Sequence, residues 1–155
     1  MHKFLILVFF IPSLSGAQSV ADTLKYCTYD GHIGLGGYDP IGYFDQNKAV
    51  LGKEDILVDY EGITYFFSSE AHKAKFLLSP NKYLPAYGGW CSMTLAMGRA
   101  TTPKYDNFLI ENGQLYLFER TLSVNGRELW LRNPKENKES AQGNYKQYTK
   151  TGKIN

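Results

Sequence analysis

Two pairs of strand-like runs, each pair joined by a tight-turn dipeptide, constrain the fold of this chain most strongly. In NFLIENGQLYLF, two alternating runs flank Asn112-Gly113, a dipeptide typical of a type I′ hairpin turn. In DILVDYEGITYFF, two strand-like runs flank Glu61-Gly62. The sequence therefore predicts two compact antiparallel hairpins.

A helix is predicted directly after the hairpin at Glu61-Gly62. Ser68 or Ser69 can cap it, because a serine hydroxyl accepts hydrogen bonds from the free amides of a first helical turn. The helix is expected to end near Pro80. His72 lies outside the apolar arc of this helix, so helical periodicity alone does not bury it. At about 100° per residue, that arc consists of Ala71, Ala74, Leu77 and Leu78.

Shorter segments complete the predicted fold. The Gly-rich piece GHIGLGGYDPIGYF is expected to be extended or turning. CSMTLAMG predicts a short helix that begins near Cys91 and ends at Gly98, and a further helix is expected from Val124 through Trp130 before Pro134 interrupts it. Together these elements predict an α+β fold, a small single domain in which antiparallel β-hairpins pack against short helices.

The ends of the chain differ from its middle. Residues 1–17 resemble a signal peptide, with a basic start, the apolar run FLILVFFI and small residues up to Ala17. That run is too short to cross a hydrocarbon core, which needs about 20 apolar residues. The predicted organisation is a signal peptide at 1–17, an N-terminal arm at 18–35, a domain at 36–132 and a polar tail at 133–155. We expect an exported protein, periplasmic or secreted, with no membrane anchor after cleavage and a tail that is a solvated helix or a frayed end.

Composition narrows the choice of partners. The 17 basic and 15 acidic residues nearly balance, which argues against nucleic acid as a partner. Export places Cys27 and Cys91 where oxidation is permitted. The sequence leaves a disulfide between them and two free thiols as alternatives.

Three motifs in a fixed order, GYDPIGYF, DYEGITYFFSSEAHKAKF and SPNKYLPAYGGWC, resemble the YHS domain, and more narrowly the exported bacterial YHS family. The resemblance covers roughly residues 36–130. In the metal-binding branch of the family, cysteines occupy three places, which match Gly42, Ser68 and His72 here. Since a structural zinc site needs four ligands, usually Cys or His, the resemblance implies that this site is lost and that a histidine stands at a former ligand position.

His72 and Cys91 are the candidate metal ligands. Near the positive end of a helix, His72 is expected to stay neutral and able to coordinate; the alternative is a partly exposed helix residue beside Phe76. Cys91 follows two glycines and is expected at a helix start, which favours a thiolate able to bind copper(I). The alternatives for Cys91 are a redox thiol, a buried core residue or half of a disulfide.

Three further residues have both a chemical and a structural interpretation. Met93 and Met97 are four residues apart, so they are either thioether ligands near Cys91 or core residues on one helix face. Asp39 is expected to be a turn residue whose carboxylate bonds nearby backbone amides, with metal coordination as the alternative.

The sequence shows no catalytic set, and three functions remain. The leading hypothesis is a binding module for a metal ion, of the copper type or zinc, held by Cys91 and His72 without catalysis. The second is a thiol redox protein that uses Cys91, alone or with Cys27. The third is a structural domain that has lost its metal site and binds a protein partner.

Overall fold

The computed structural model describes residues 24–154. The predicted signal peptide at 1–17 and the first residues of the predicted arm lie outside the described residues. In the described part, six α-helices and two small sheets of mostly antiparallel strands form the predicted α+β fold.

The first sheet has the strand order β1-β2-β4-β3. Its strands are β1 (Thr28–Tyr29), β2 (Ile33–Gly34), β3 (Lys53–Tyr60) and β4 (Ile63–Phe67). Only the β2–β4 pair is parallel. Glu61 and Gly62 have φ angles of 50° and 78°, the positive values that a type I′ turn needs at both central residues. The predicted hairpin at Glu61-Gly62 is confirmed.

The second sheet is the other predicted hairpin. It pairs β5 (Lys104–Glu111) with β6 (Gln114–Phe118) in an antiparallel arrangement. Asn112 and Gly113 have φ angles of 51° and 76°, so this turn also meets the type I′ condition.

The helices differ in part from the prediction. They are α1 (Pro40–Asp45), α2 (Glu70–Leu78), α3 (Pro80–Tyr83), α4 (Ser92–Ala96), α5 (Gly126–Trp130) and α6 (Pro134–Thr151). The expectation that GHIGLGGYDPIGYF is extended or turning was wrong for its last five residues, which belong to α1. Asp39 caps this helix by accepting from the backbone N–H of Ile41, and Pro40 occupies the first turn. Proline is well suited there because its missing N–H would have no partner in the helix anyway.

Strand β6 divides the interior into two parts. Its side chains alternate between two hydrophobic clusters, so both of its faces are buried. Leu115 and Leu117 belong to the first cluster, which lies against the first sheet and α2. Tyr116 and Phe118 belong to the second, which includes Trp130 of α5.

The predicted polar tail forms α6, and one of its faces is buried. Ala141 is fully buried in the second cluster. The ring of Tyr145 lies 5.7 Å from that of Tyr87, and the ring of Tyr148 lies 5.4 Å from that of Trp90. The tail therefore covers the second cluster, while its opposite face is solvated as expected. None of the helices in residues 24–154 is both long and apolar enough to span a membrane.

Candidate functional site

Two adjacent serines at the start of α2 have different roles. The Oγ of Ser69 accepts a hydrogen bond from the backbone N–H of His72 at 3.2 Å, so Ser69 is the N-cap. Ser68 instead donates from its backbone N and its Oγ to Oδ2 of Asp39, at 2.8 and 2.6 Å. The predicted serine cap is confirmed at Ser69, and Ser68 joins the helix start to a distant part of the chain.

Asp39 is the centre of this polar group. Its side chain is fully buried. Oδ1 accepts from the backbone N–H of Ile41 at 2.8 Å, which confirms the expected turn role. Oδ2 accepts from Ser68 and also from Nδ1 of His72, at 2.6 Å. One carboxylate thus connects the start of α1 with the start of α2.

The imidazole of His72 has a defined orientation. A carboxylate can only accept hydrogen bonds, so the contact with Asp39 places the proton on Nδ1 of His72. The other ring nitrogen, Nε2, then carries the lone pair, and the side chain is 17% exposed. A histidine whose second nitrogen is bonded to a carboxylate is the arrangement that metal-ligating histidines usually show.

The same atoms do not form a nucleophilic triad. In a Ser-His-Asp triad the imidazole stands between the hydroxyl and the carboxylate and uses a different nitrogen for each. Here Ser68 and His72 both bond Oδ2 of Asp39, and the Oγ of Ser68 lies 3.2 Å from Nδ1, the nitrogen that already faces the carboxylate. The geometry supports orientation of the imidazole, not activation of the serine.

Burial and hydrogen bonding act in opposite directions on Asp39. Burial by itself raises the pKa of this carboxyl group, because it disfavours the charged form. The hydrogen bonds from Ser68, His72 and Ile41 stabilise the carboxylate, and together they outweigh burial. The pKa of Asp39 is therefore lowered, and the group is a carboxylate at neutral pH.

The orientation of α2 is opposite to the one its apolar arc predicts. The prediction that this arc faces the core was wrong, because Ala71, Ala74, Leu77 and Leu78 are all exposed. Phe76 is the buried residue of the helix, at 0% exposure, and it contacts the rings of Tyr60, Tyr65, Phe67 and Tyr83. A single Phe in an aromatic cluster decides which face packs inward, and His72, one turn before it, becomes partly buried.

Cys91 lies in different surroundings from His72. It is the N-cap of α4, as predicted, and its side chain is fully buried. Its Sγ accepts from the backbone N–H groups of Thr94 at 3.4 Å and Glu119 at 3.1 Å. These partners are distinct from Asp39 and Ser68, which surround His72.

The two cysteines are free thiols in the structure. Cys27 is 4% exposed, and its Sγ lies 3.8 Å from the hydroxyl of Thr102. Burial raises the pKa of the Cys27 thiol. Of the alternatives that the sequence left open, this arrangement corresponds to two buried thiols rather than a disulfide.

The two methionines near Cys91 line one open cavity beside α4. Met97 is 54% exposed, and Met93 is half-buried. They are therefore not packed inside a closed core, and the cavity they line also contains two charged residues that the sequence did not point to, Arg99 and Glu119.

A structural zinc ion does not fit the residues at the three places that the family resemblance implies. Gly42 offers no side chain, and the Oγ of Ser68 is already bonded to Asp39. A Cβ atom built at Gly42 would lie 3.3 Å from both the carbonyl oxygen of Lys48 and the Cβ of Val50. In residues 24–154, no three His, Cys, Asp or Glu side chains are grouped so that they could hold a metal ion. Of the three places, only His72 has a side chain with a nitrogen atom that could coordinate a metal ion.

Comparison with known proteins gives one match. The family model of the YHS domain matches residues 41–87. The matched range includes Ser68 and His72, while Asp39 precedes it and Cys91 follows it. Searches of curated proteins and of solved structures returned no match.

Proposed function

We propose that the protein binds a transition-metal ion of the copper type at His72, because the YHS family, whose model matches residues 41–87, is often linked to metal binding. The observation that supports the proposal is the 2.6 Å contact between Nδ1 of His72 and Oδ2 of Asp39. It fixes the tautomer that leaves Nε2 as the coordinating atom, and hydrogen bonding to a carboxylate raises the basicity of that ligand.

The choice of metal follows from the donor atom. Imidazole suits copper, zinc and nickel, and copper(II) has the highest affinity of the divalent first-row ions for a nitrogen site. Copper(I) prefers a soft donor such as a thiolate, and the thiol of Cys91 is fully buried. We therefore propose copper(II) first and zinc second.

The proposed ion is exchangeable. One imidazole fills one coordination position, so water or the side chains of a protein partner fill the others. Such an ion adds little to folding stability, in contrast to a structural zinc with four protein ligands. We propose that the protein works as a metal-binding module in an exported compartment, periplasmic or secreted, and that it has no catalytic role of its own.

A copper(II) titration followed by calorimetry tests the proposal. The protein is purified after export and without a histidine tag, and it is compared with His72→Ala and His32→Ala. His32 is a matched control because its ring is exposed and bonds only the backbone carbonyl of Asp30, at 3.0 Å. We expect His72→Ala to lose at least tenfold in affinity and His32→Ala to bind as the wild type does. A wild-type protein that does not bind, or equal binding by both variants, would contradict the proposal.

The prediction that one ion is bound by both His72 and Cys91 stays a prediction, and the same titration tests it. Because Cys91 is buried beside Thr94 and Glu119, we expect Cys91→Ser to bind copper(II) as the wild type does. A marked loss of affinity in Cys91→Ser would favour the two-ligand site.

A further inference from the structure

A cavity lined by residues of the second hydrophobic cluster's surroundings, from Met93 to Leu129, has the features of a small-molecule site. It lies between α4, α5 and the loop that follows β6, and its volume is about 430 Å³, within the usual range of ligand pockets. Its walls are mostly apolar and include Met93, Met97, Val124 and Leu129. None of these residues belongs to the proposed metal site or to the range matched by the YHS family model.

Two opposite charges face this apolar cavity without pairing with each other. Arg99 and Glu119 both line it, and in residues 24–154 Arg99 forms no salt bridge. The side chain of Glu119 is held by one contact, in which its Oε2 accepts from the hydroxyl of Thr101 at 2.9 Å. Its backbone is fixed as well, because its N–H donates to Cys91 and its carbonyl oxygen accepts from Asn107 and Gly126. The second carboxylate oxygen, Oε1, is left for a ligand.

The pattern of charge defines the class of ligand. A guanidinium binds a carboxylate through two parallel hydrogen bonds, and a carboxylate binds an ammonium group. A ligand that matches both charges and the apolar walls is a small zwitterion with an apolar side chain. We propose that this cavity binds a free hydrophobic α-amino acid, with Arg99 contacting its carboxylate, Glu119 its ammonium group, and the methionine side chains its apolar body.

The methionine methyl groups give a direct readout. The sequence contains three methionines, Met1, Met93 and Met97, and the last two line the cavity. The exported protein is labelled with ¹³C at the methionine methyl groups and titrated with L-phenylalanine. We expect the signals of Met93 and Met97 to shift in a saturable manner.

The charged contacts are tested by changing the ligand and by changing the protein. N-acetyl-L-phenylalanine lacks the ammonium group and L-phenylalanine amide lacks the carboxylate, so each is expected to bind about tenfold or more weakly, as the loss of a charged hydrogen bond implies. Arg99→Gln and Glu119→Gln should show a similar loss for L-phenylalanine. Arg132→Gln, an exposed arginine outside this cavity, is the matched control and should bind normally.

A variant that fills the cavity completes the test. Val124 is 49% exposed, so Val124→Trp is expected to fold and to abolish the shifts. The proposal is overturned if L-phenylalanine moves neither methyl signal, if the two derivatives bind as tightly as the free amino acid, or if Arg99→Gln binds like Arg132→Gln. The metal titration at His72 is independent of each of these outcomes, because the two sites share no residue.

Discussion

Among single residues, Asp39 is the one that connects the start of α1 with the start of α2. The ligand places implied by the resemblance, Gly42, Ser68 and His72, lie on α1, just before α2 and within α2. Asp39 joins the same elements through four hydrogen bonds, accepted from Ile41, from both donors of Ser68 and from His72. A buried carboxylate therefore connects the two helix starts.

Replacing Asp39 by asparagine tests this role. An amide would keep the shape of the side chain but lose its charge. Its NH₂ group would face a hydrogen-bond donor at a position where the carboxylate of Asp39 now accepts. Because hydrogen bonds to charged groups contribute about 1.5–3 kcal/mol each, we expect Asp39→Asn to lower the free energy of unfolding by about 2 kcal/mol or more, measured by urea denaturation. Asp45→Asn, which removes an exposed ion pair with Lys75, is the control, and we expect a clearly smaller loss from it because exposed ion pairs contribute little to stability. Equal losses would show that Asp39 is not a structural link.

The same carboxylate predicts a dependence of stability on pH. The folded-state pKa of Asp39 is lowered, while an unfolded aspartate titrates at about 3.9. The stabilisation is therefore fully present above about pH 5 and is lost as the pH falls through the unfolded value towards the folded one. We expect the difference in unfolding free energy between wild type and Asp39→Asn to shrink on acidification from pH 6 to pH 3. A difference that is constant over this range would contradict the lowered pKa.

The burial of both thiols leads to a testable prediction about the alternative that the protein is a thiol redox protein. Cys27 and Cys91 are 4% and 0% exposed, and a working thiol must be reachable by its reaction partner. We expect a thiol reagent such as dithionitrobenzoate to react with neither cysteine quickly in the native protein and with both in denaturant. Rapid reaction of one native thiol, which Cys91→Ser abolishes and Cys27→Ser does not, would revive the redox function.

Among the elements, α2 is the one whose buried face the sequence predicted wrongly, and the error has a physical cause. A helical wheel counts apolar residues, and four of them share the exposed arc of this helix. One buried aromatic ring can outweigh small and branched apolar side chains, because it removes 150–250 Å² of surface from water and makes specific ring contacts. No local pattern shows that the cluster around Phe76 exists, since its members come from β3, β4 and α3.

A pair of substitutions on α2 measures which face packs inward. Phe76→Ala is expected to cost about 3–5 kcal/mol of unfolding free energy, as is usual for a buried phenylalanine. Leu78 is 85% exposed, so Leu78→Ala should change the free energy of unfolding by no more than about 0.5 kcal/mol. Thermal or urea denaturation of the two variants distinguishes the observed orientation from the one that the apolar arc predicts, for which the larger loss would occur at Leu78.

At the scale of the whole molecule, the sequence predicted features that local chemistry determines. Both hairpins were predicted correctly because a type I′ turn requires positive φ at two adjacent residues, which Asn112-Gly113 tolerates and which Glu61-Gly62 also adopts. The α+β class followed from them. The cap at Ser69, the helix start at Cys91 and the turn contact of Asp39 are likewise short-range features.

Features that depend on distant segments were not visible in the sequence. Asp39 meets Ser68 and His72 across 29 and 33 residues, and no spacing rule connects an aspartate in one turn with the start of a later helix. Arg99 and Glu119 line one cavity, and no spacing rule connects these two residues either. The packing of α6 on the second cluster depends on Ala141, whose small side chain looks unremarkable in a polar stretch.

Asp39 orients the imidazole of His72, and metal binding at this residue needs its Nε2 atom to be free to coordinate. Both points can be tested with nitrogen-15 chemical shifts of the histidine rings, recorded at alkaline pH and during addition of diamagnetic zinc(II). We predict that neutral His72 carries its proton on Nδ1 and that zinc shifts the Nε2 signal of His72 while the signals of His32 stay in place. A proton on Nε2, or a zinc response confined to His32, would contradict it.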